Sequence, residues 1–297
     1  MTYDLTGKTI IVTGANSGIG LSAAIQLARL GANVIMACRS AERGEAALEQ
    51  ARHQSGSSRI ELMLVDMASQ RSIRQFAAAF LEAHPRLDVL IHNAANFDLS
   101  LKTPVLTEDG IETIFATNHV GPFLLTCLLL DRLKASAPAR ILTVASKGLT
   151  AYPFLDIEFD NLNGERKFSP QHAYYHSKLA QIMFNRELAR RLEGTGVTVN
   201  CVQVGNVAIP DERLGHLPGW MRRLYALKRR MAITPERMAE TYVFLAADPA
   251  VQSISGACWD ENRRQVSPIR SADNQQTWLR LWQVSRQLAG LAEGTEA

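Results

Sequence analysis

Tyr174 and Lys178 stand four positions apart in the run Tyr174-Tyr175-His176-Ser177-Lys178. On a helix they share one face. A free phenol has a pKa of about 10, too high for ready proton exchange at neutral pH. A nearby ammonium favours the phenolate and lowers that value. Such a pair can give a proton to, or take one from, an oxygen on a carbon undergoing hydride transfer. Ser146 follows the apolar run 141–145, and a hydroxyl at that point could hold the same oxygen. Asn118 sits between Thr117 and His119 in a helical pattern, where an amide is mildly unfavourable and a polar task is expected. Taken singly, Ser146 reads first as a turn residue, and Asn118 reads equally well as an exposed or locally bonded amide.

A second kind of chemistry lies near the start of the chain. Gly14, Asn16, Ser17, Gly18, Ile19 and Gly20 separate a β-branched run at 10–12 from a helical pattern at 21–30. Glycine permits positive φ and a close approach of backbone to ligand. Amides at the helix start can then receive a pyrophosphate. The next strand ends at Cys38-Arg39, without the carboxylate that would bond the ribose of NAD. Arg39 suits a 2′-phosphate instead, which favours NADP. Asp66 and Met67 close the third strand, where the carboxylate can meet the adenine amino group or cap a helix.

These residues need a scaffold. Strands are predicted over 10–12, 34–38, 60–65, 89–91, 140–145 and 197–202, with another approached near Trp259. Helices are predicted over 21–30, 42–53, 72–83, 109–134 (broken near Gly121-Pro122), 173–192, 235–247 and 273–288. Alternating strands and helices at this spacing form parallel crossover units. Near-continuous apolar strands suit a sheet covered on both faces. The expectation is an α/β fold: a single doubly wound, Rossmann-like domain over 1–288. It carries a substrate lid at 206–233 and a flexible tail at 289–297.

Composition is that of a globular chain: 46% hydrophobic and 21% charged over 297 residues, which disfavours disorder and coiled coil. A formal charge of +3 is too mild to imply nucleic acid binding. Cys38, Cys127, Cys201 and Cys258 form no CxxC pair and no metal-spaced cluster. Reduced thiols, no metal and a cytoplasmic location are expected. No signal peptide is visible, and no apolar stretch reaches the roughly 20 residues of a spanning helix. Peripheral membrane or carrier-protein contact stays open. In the lid, Trp220, Leu224, Leu227 and Met231 recur at helical spacing beside Arg222, Arg223, Lys228, Arg229 and Arg230. An ordinary lid helix, a lipid-facing surface and an anion-binding surface all fit that pattern. His172 and His176 match no metal or triad pattern and read as surface or locally bonded groups. Leu281, Trp282 and their neighbours read as core packing or as an oligomer surface.

Together these motifs resemble a classical short-chain dehydrogenase/reductase, in the branch of the retinol dehydrogenases and the oxidoreductase domain of WW-domain-containing oxidoreductases. The resemblance spans residues 5–260. It rests on the glycine turn, Ala37-Cys38-Arg39, Val65-Asp66, Thr117-Asn118-His119-Val120-Gly121, Ser146 and Tyr174 to Lys178. It implies a seven-stranded parallel sheet with NAD(P) across its carboxyl edge, and a small-molecule carbonyl or alcohol substrate. Tyr174 would be the proton donor in reduction. Lys178 would bind the nicotinamide ribose, Ser146 would orient the substrate oxygen, and Asn118 would hold a relay water. Asn93 and Ala94 would line the cofactor, as would Gly205 and Val207 after the sixth strand. Tyr175 breaks the YxxxK match and should point elsewhere. Homo-oligomers formed by helix pairing are usual in the family. Two departures stand out: Val204-Gly205 where the family has Pro-Gly, and Ile209 where it has a threonine that helps hold the nicotinamide amide. They keep open a non-redox biosynthetic enzyme and an NADP-sensing, partner-binding protein beside the expected NADP-dependent oxidoreductase of a bulky apolar substrate.

Overall fold

The computed structural model describes residues 3–207 and 232–292. Eight strands form one sheet in the order β3-β2-β1-β4-β5-β6-β7-β8. They are β1 (Thr9–Thr13), β2 (Asn33–Cys38), β3 (Ile60–Leu64), β4 (Val89–His92), β5 (Ala139–Ser146), β6 (Val197–Val204), β7 (Cys258–Trp259) and β8 (Gln265–Val266). The first seven run parallel, and β8 runs antiparallel to β7. The eighth strand departs from the seven-stranded expectation, and its cause is local. Asp260 Oδ1 accepts from the backbone N–H groups of Asn262 and Arg264. Arg263 adopts φ 61°, and the chain turns back onto β7.

Seven helices among the described residues cover the sheet: α1 (Gly18–Arg29), α2 (Ala41–Ser55), α3 (Gln70–Ala83), α4 (Thr113–Ala135), α5 (Pro170–Arg191), α6 (Pro235–Ala247) and α7 (Gln275–Leu288). Side-chain caps start most of them. Ser40, Ser69, Ser169 and Thr234 each accept from a backbone N–H in the first turn. Such a cap contributes about 1 kcal/mol. α4 begins at Thr113 and not near 109, because Glu112 accepts from the N–H groups of Ile114 and Phe115. The expected break before Pro122 is a π turn over Ala116–Val120.

Two apolar layers hold the sheet. Ile11, Ile141, Ala145, Val199 and Cys201 face α3, α4, α5 and α7. Val12, Val34, Met36, Leu142, Val144 and Val202 face α1, α2 and α6. Both faces of the central strands are therefore buried, as the apolar runs predict, while edge strand β3 keeps Glu61 and Leu64 exposed. α4 is long and apolar enough to cross a bilayer, but 78% of its apolar window is buried inside the fold. On α7, Leu281 and Trp282 are buried, and Trp282 meets Phe123 edge-on at 4.9 Å. For these two residues core packing is the reading the structure shows.

The expected tail begins at Ala289. Ala289 is buried, and Arg74 donates to its carbonyl at 2.7 Å. Residues 293–297 lie outside the described residues, as do 208–231, with Ile209 and the Trp220-to-Met231 pattern. The base of the expected lid is described: Val207 bridges Ile233, whose N–H donates to the Asn206 carbonyl at 2.9 Å.

Candidate active site

The glycine turn leaves β1 at its carboxyl end, with Gly14 at φ 65° and Gly18 at φ 56°. A Cβ on Gly14 would lie 2.8 Å from the Ala94 Cα, so the turn sits directly on the loop after β4. Asn93 Nδ2 donates to the carbonyls of Thr13, at 2.9 Å, and Gly14, at 3.3 Å. The Ala94 N–H donates to Thr13 Oγ1 at 3.0 Å. Tyr242 on α6 donates to Asn93 Oδ1 at 3.2 Å. A Cβ on Gly20 would collide with the Asn93 amide, which explains why that helix position is glycine. Asn93 and Ala94 thus hold the turn in shape. Asn16, Ser17, Gly18 and Ile19 are half-buried along it. α1 has no acidic residue in its first turn, so its dipole faces an approaching anion unopposed.

The outer wall runs along β2 and β3. Arg39 is exposed just past β2, and no ion pair engages it among the described residues. Asp66 is half-buried, and its Oδ1 accepts from the Ala68 N–H at 2.9 Å. That bond closes a turn within the loop; the cap of α3 is Ser69, not Asp66. Met67 is buried, and its carbonyl lies so close to Gly121 that a side chain there would collide with it. This contact seats the π turn of α4 against the β3 loop.

Tyr174 and Lys178 sit in the first turns of α5, over the carboxyl ends of β5 and β6. Lys178 Nζ is 5.5 Å from the Tyr174 ring centroid and donates to the Val144 carbonyl at 2.9 Å. Burial pushes the Lys178 ammonium down to about 8. Tyr174 is half-buried, with the ring of Phe97 at 4.2 Å. Ser146 ends β5 opposite Val204 of β6, and its Oγ accepts from the Gly148 N–H at 3.1 Å. The Tyr175 ring packs on Gly148, where no Cβ would fit, on Tyr152 at 4.6 Å, and edge-on to Tyr174 at 5.3 Å. Gly205 follows β6 beside the Lys147–Glu261 ion pair of 2.7 Å.

Asn118 lies in the π turn, fully enclosed. Its Oδ1 accepts from the Asn96 N–H at 2.6 Å, and its Nδ2 donates to the Asn96 carbonyl at 2.9 Å and to Ser177 Oγ at 3.0 Å. Ser177 in turn donates to the Tyr174 carbonyl at 2.7 Å. The amide clamps the β4 loop to the helix that carries the tyrosine. A water held by Asn118 would therefore use its main-chain carbonyl, not its amide. Asn96, Phe97 and Ser177 escaped the sequence reading; only Ser177, inside the tyrosine motif, carried a local signal. His176 is buried and accepts from the Glu158 N–H at 2.9 Å, while His172 lies 3.2 Å from Glu158. Both histidines are locally bonded. No cluster of three metal-ligating side chains exists among the described residues.

The glycine cradle and the open helix start fit the pyrophosphate of a nicotinamide dinucleotide, and exposed Arg39 has no ion pair among the described residues. A fold of this order, with a tyrosine–lysine pair beside a strand-end serine, defines a doubly wound oxidoreductase. Family models match in both halves: "short chain dehydrogenase" over residues 8–155 and "Enoyl-(Acyl carrier protein) reductase" over residues 157–259. Human retinol dehydrogenase 14 is 42% identical over 299 residues, covering 96% of this chain and 87% of the relative. Bovine dehydrogenase/reductase SDR family member 13 is 41% identical, covering 99% and 76%. Among solved structures, L-sorbose reductase from Gluconobacter frateurii, complexed with NADPH and L-sorbose, superposes with a TM-score of 0.71 at 22% identity. That match covers 88% of this chain and 97% of the other. The chain belongs to the short-chain dehydrogenase/reductase family, in its retinol dehydrogenase branch.

Proposed function

We propose that the protein is an NADP(H)-dependent oxidoreductase that interconverts a carbonyl and an alcohol on a bulky apolar substrate, with reduction favoured. The observation that carries this is the Lys178 ammonium held against the Tyr174 ring at the carboxyl edge of β5, beside Ser146. When bound, NADPH supplies the hydride. Tyr174 would donate its phenolic proton to the substrate carbonyl oxygen. Lys178 would stabilise the phenolate left behind and hold the nicotinamide ribose. Ser146 Oγ donates to the substrate oxygen and fixes the carbonyl for attack. Asn118 holds the loop and helix that frame the pair. Gly14, Ser17, Gly18 and Gly20 cradle the pyrophosphate, and Arg39 pairs with the 2′-phosphate.

Exposed Phe97, its ring 4.2 Å from that of Tyr174, favours an apolar substrate, as does the likeness to proteins named retinol dehydrogenases. Retinoid-like aldehydes and alcohols therefore head the substrate panel. We place the enzyme in the cytoplasm as a homo-oligomer, with peripheral membrane contact during substrate capture. Titration of the purified protein with NADPH and, in parallel, NADH tests the cofactor half by quenching of tryptophan fluorescence. Tight NADPH binding with much weaker NADH binding is expected. Binding of neither to folded protein would overturn the redox reading.

A further inference from the structure

Glu261 directly follows Asp260, the residue that turns β7 back into β8, and its two carboxylate oxygens differ in their surroundings. Oε1 accepts from Lys147 Nζ at 2.7 Å. Oε2 is buried and has no hydrogen-bond partner among the described residues. It lies 3.4 Å from the point where a Cβ on Gly205 would stand, and the Lys147 side chain comes equally close. A charged oxygen closed off from water and left without a donor is costly. Such a group persists where a ligand or a water completes it.

Its neighbours put this oxygen at the reacting end of the cleft. Lys147 follows Ser146, and Gly205 follows Val204, the register partner of Ser146 across β5 and β6. With Ser146 and Tyr174 holding the substrate oxygen, hydride transfer needs the nicotinamide ring within about 3.5 Å of the carbon that bears it. The ring therefore belongs against the ends of β5 and β6. Its carboxamide carries an NH2 donor that needs an acceptor there. The carboxylate is also held firmly. Lys147 Nζ lies 3.8 Å from Asp260 Oδ2, and Asp260 is itself pinned by the N–H groups of Asn262 and Arg264. The Lys147–Glu261 pair is partly enclosed, with side chains 36% and 19% exposed, so solvent screens it less than an open surface pair. The hairpin that adds β8 to the sheet thus presents Glu261 beside Gly205.

We propose that Glu261 is a cofactor-binding residue whose Oε2 accepts a hydrogen bond from the carboxamide NH2 of the nicotinamide, with Lys147 as the positioning residue that aims it. The proposal rests on the redox reading above. An ionised acceptor makes a stronger bond than a neutral one. Glycine at 205 leaves the approach open, since a side chain there would stand against Oε2. The side chain of Ile209 has no polar atom to offer an amide, so the acceptor must come from elsewhere.

The test compares NADPH with its 3-acetylpyridine analogue, in which a methyl ketone replaces the amide and the N–H donor is gone. Both are titrated without substrate, by quenching of tryptophan fluorescence, into the unaltered protein, Glu261→Leu and Lys147→Met. The unaltered protein should prefer NADPH by roughly tenfold or more, as a charge-assisted bond implies. Glu261→Leu should lose that preference through weaker NADPH binding, with the affinity for the analogue little changed. Lys147→Met removes the ion pair but not the acceptor, and should keep most of the preference. Glu261→Gln gives a second variant should Glu261→Leu not fold, with the preference reduced as the acceptor loses its charge. NADPH binding without preference in the unaltered protein, a preference that survives in Glu261→Leu, or one lost equally in Lys147→Met would overturn the assignment while leaving the redox reading intact. An effect of Glu261→Leu confined to the KM of the carbonyl substrate would overturn it too, by moving the contact to the substrate. No binding of either nucleotide to folded, unaltered protein would overturn both.

Discussion

Lys178 Nζ is fixed from behind by the Val144 carbonyl at 2.9 Å and faces the Tyr174 ring from 5.5 Å. The strand that ends in Ser146 thus anchors the ammonium that tunes the phenol. Serine, tyrosine and lysine are set by two elements, β5 and α5, whose packing fixes all three together.

That burial has a stability cost. Lys178 falls from its ordinary 10.5 to about 8 in the folded protein. Between those values the unfolded chain binds more protons, so stability without cofactor rises with pH across that window. Below about 8 the enclosed charge costs up to ~3 kcal/mol. Lys178→Met is expected to be inactive yet more stable at pH 7, and to lose the rise between pH 8 and 10.5. Urea unfolding of both proteins at several pH values checks this; a less stable variant would contradict it.

Arg39 is exposed, and no partner among the described residues competes for it. Arg39→Asp removes the cation for a 2′-phosphate and installs an acceptor for ribose hydroxyls. NADPH affinity should fall roughly 10- to 100-fold, as loss of a charge-assisted pair implies, while NADH affinity rises. Parallel titrations measure both.

Asn118→Leu leaves the Asn96 N–H and carbonyl without their clamp. Leaving such enclosed groups unpaired costs about 1–3 kcal/mol. The loop bearing Phe97, which meets the Tyr174 ring, loosens with it. A lower melting temperature with a larger loss in kcat than in cofactor affinity is expected. Calorimetry and steady-state kinetics on one preparation separate the two effects.

Burial drives His92 and His119 from 6.5 down to about 3, and His176 to about 4. Each stays neutral when folded and takes a proton on unfolding once the pH drops below about 6.5. Stability is therefore complete above that value and declines steadily toward pH 4. His119→Phe, placed among Phe115, Phe123 and Phe184, should flatten the decline. Unfolding free energies at pH 7 and pH 4.5 measure the difference.

What could be read in advance follows from range. The strands at 10–12, 34–38 and 140–145 are apolar runs bounded by turn residues, and both faces of the sheet are covered. Tyr174 and Lys178 are helical neighbours, so their spacing alone placed them together. β8 depends on the turn made by Asp260 and Arg263, which no apolar pattern marks. The start of α4 depends on a buried Glu112 acting as a cap, an uncommon residue for that place. The Asn118 clamp joins residues 22 positions apart, and Trp282 finds Phe123 only after α7 folds back. Such contacts carry no local period, so only the assembled fold shows them.

The most direct measurement of the central claim follows deuterium from NADPH labelled at the nicotinamide C4 into the product alcohol, with unaltered protein and with Tyr174→Phe. The account predicts label on the former carbonyl carbon with unaltered protein. In Tyr174→Phe turnover should fall by at least about 100-fold, with NADPH still bound. Product without label, or full turnover in Tyr174→Phe, would contradict it.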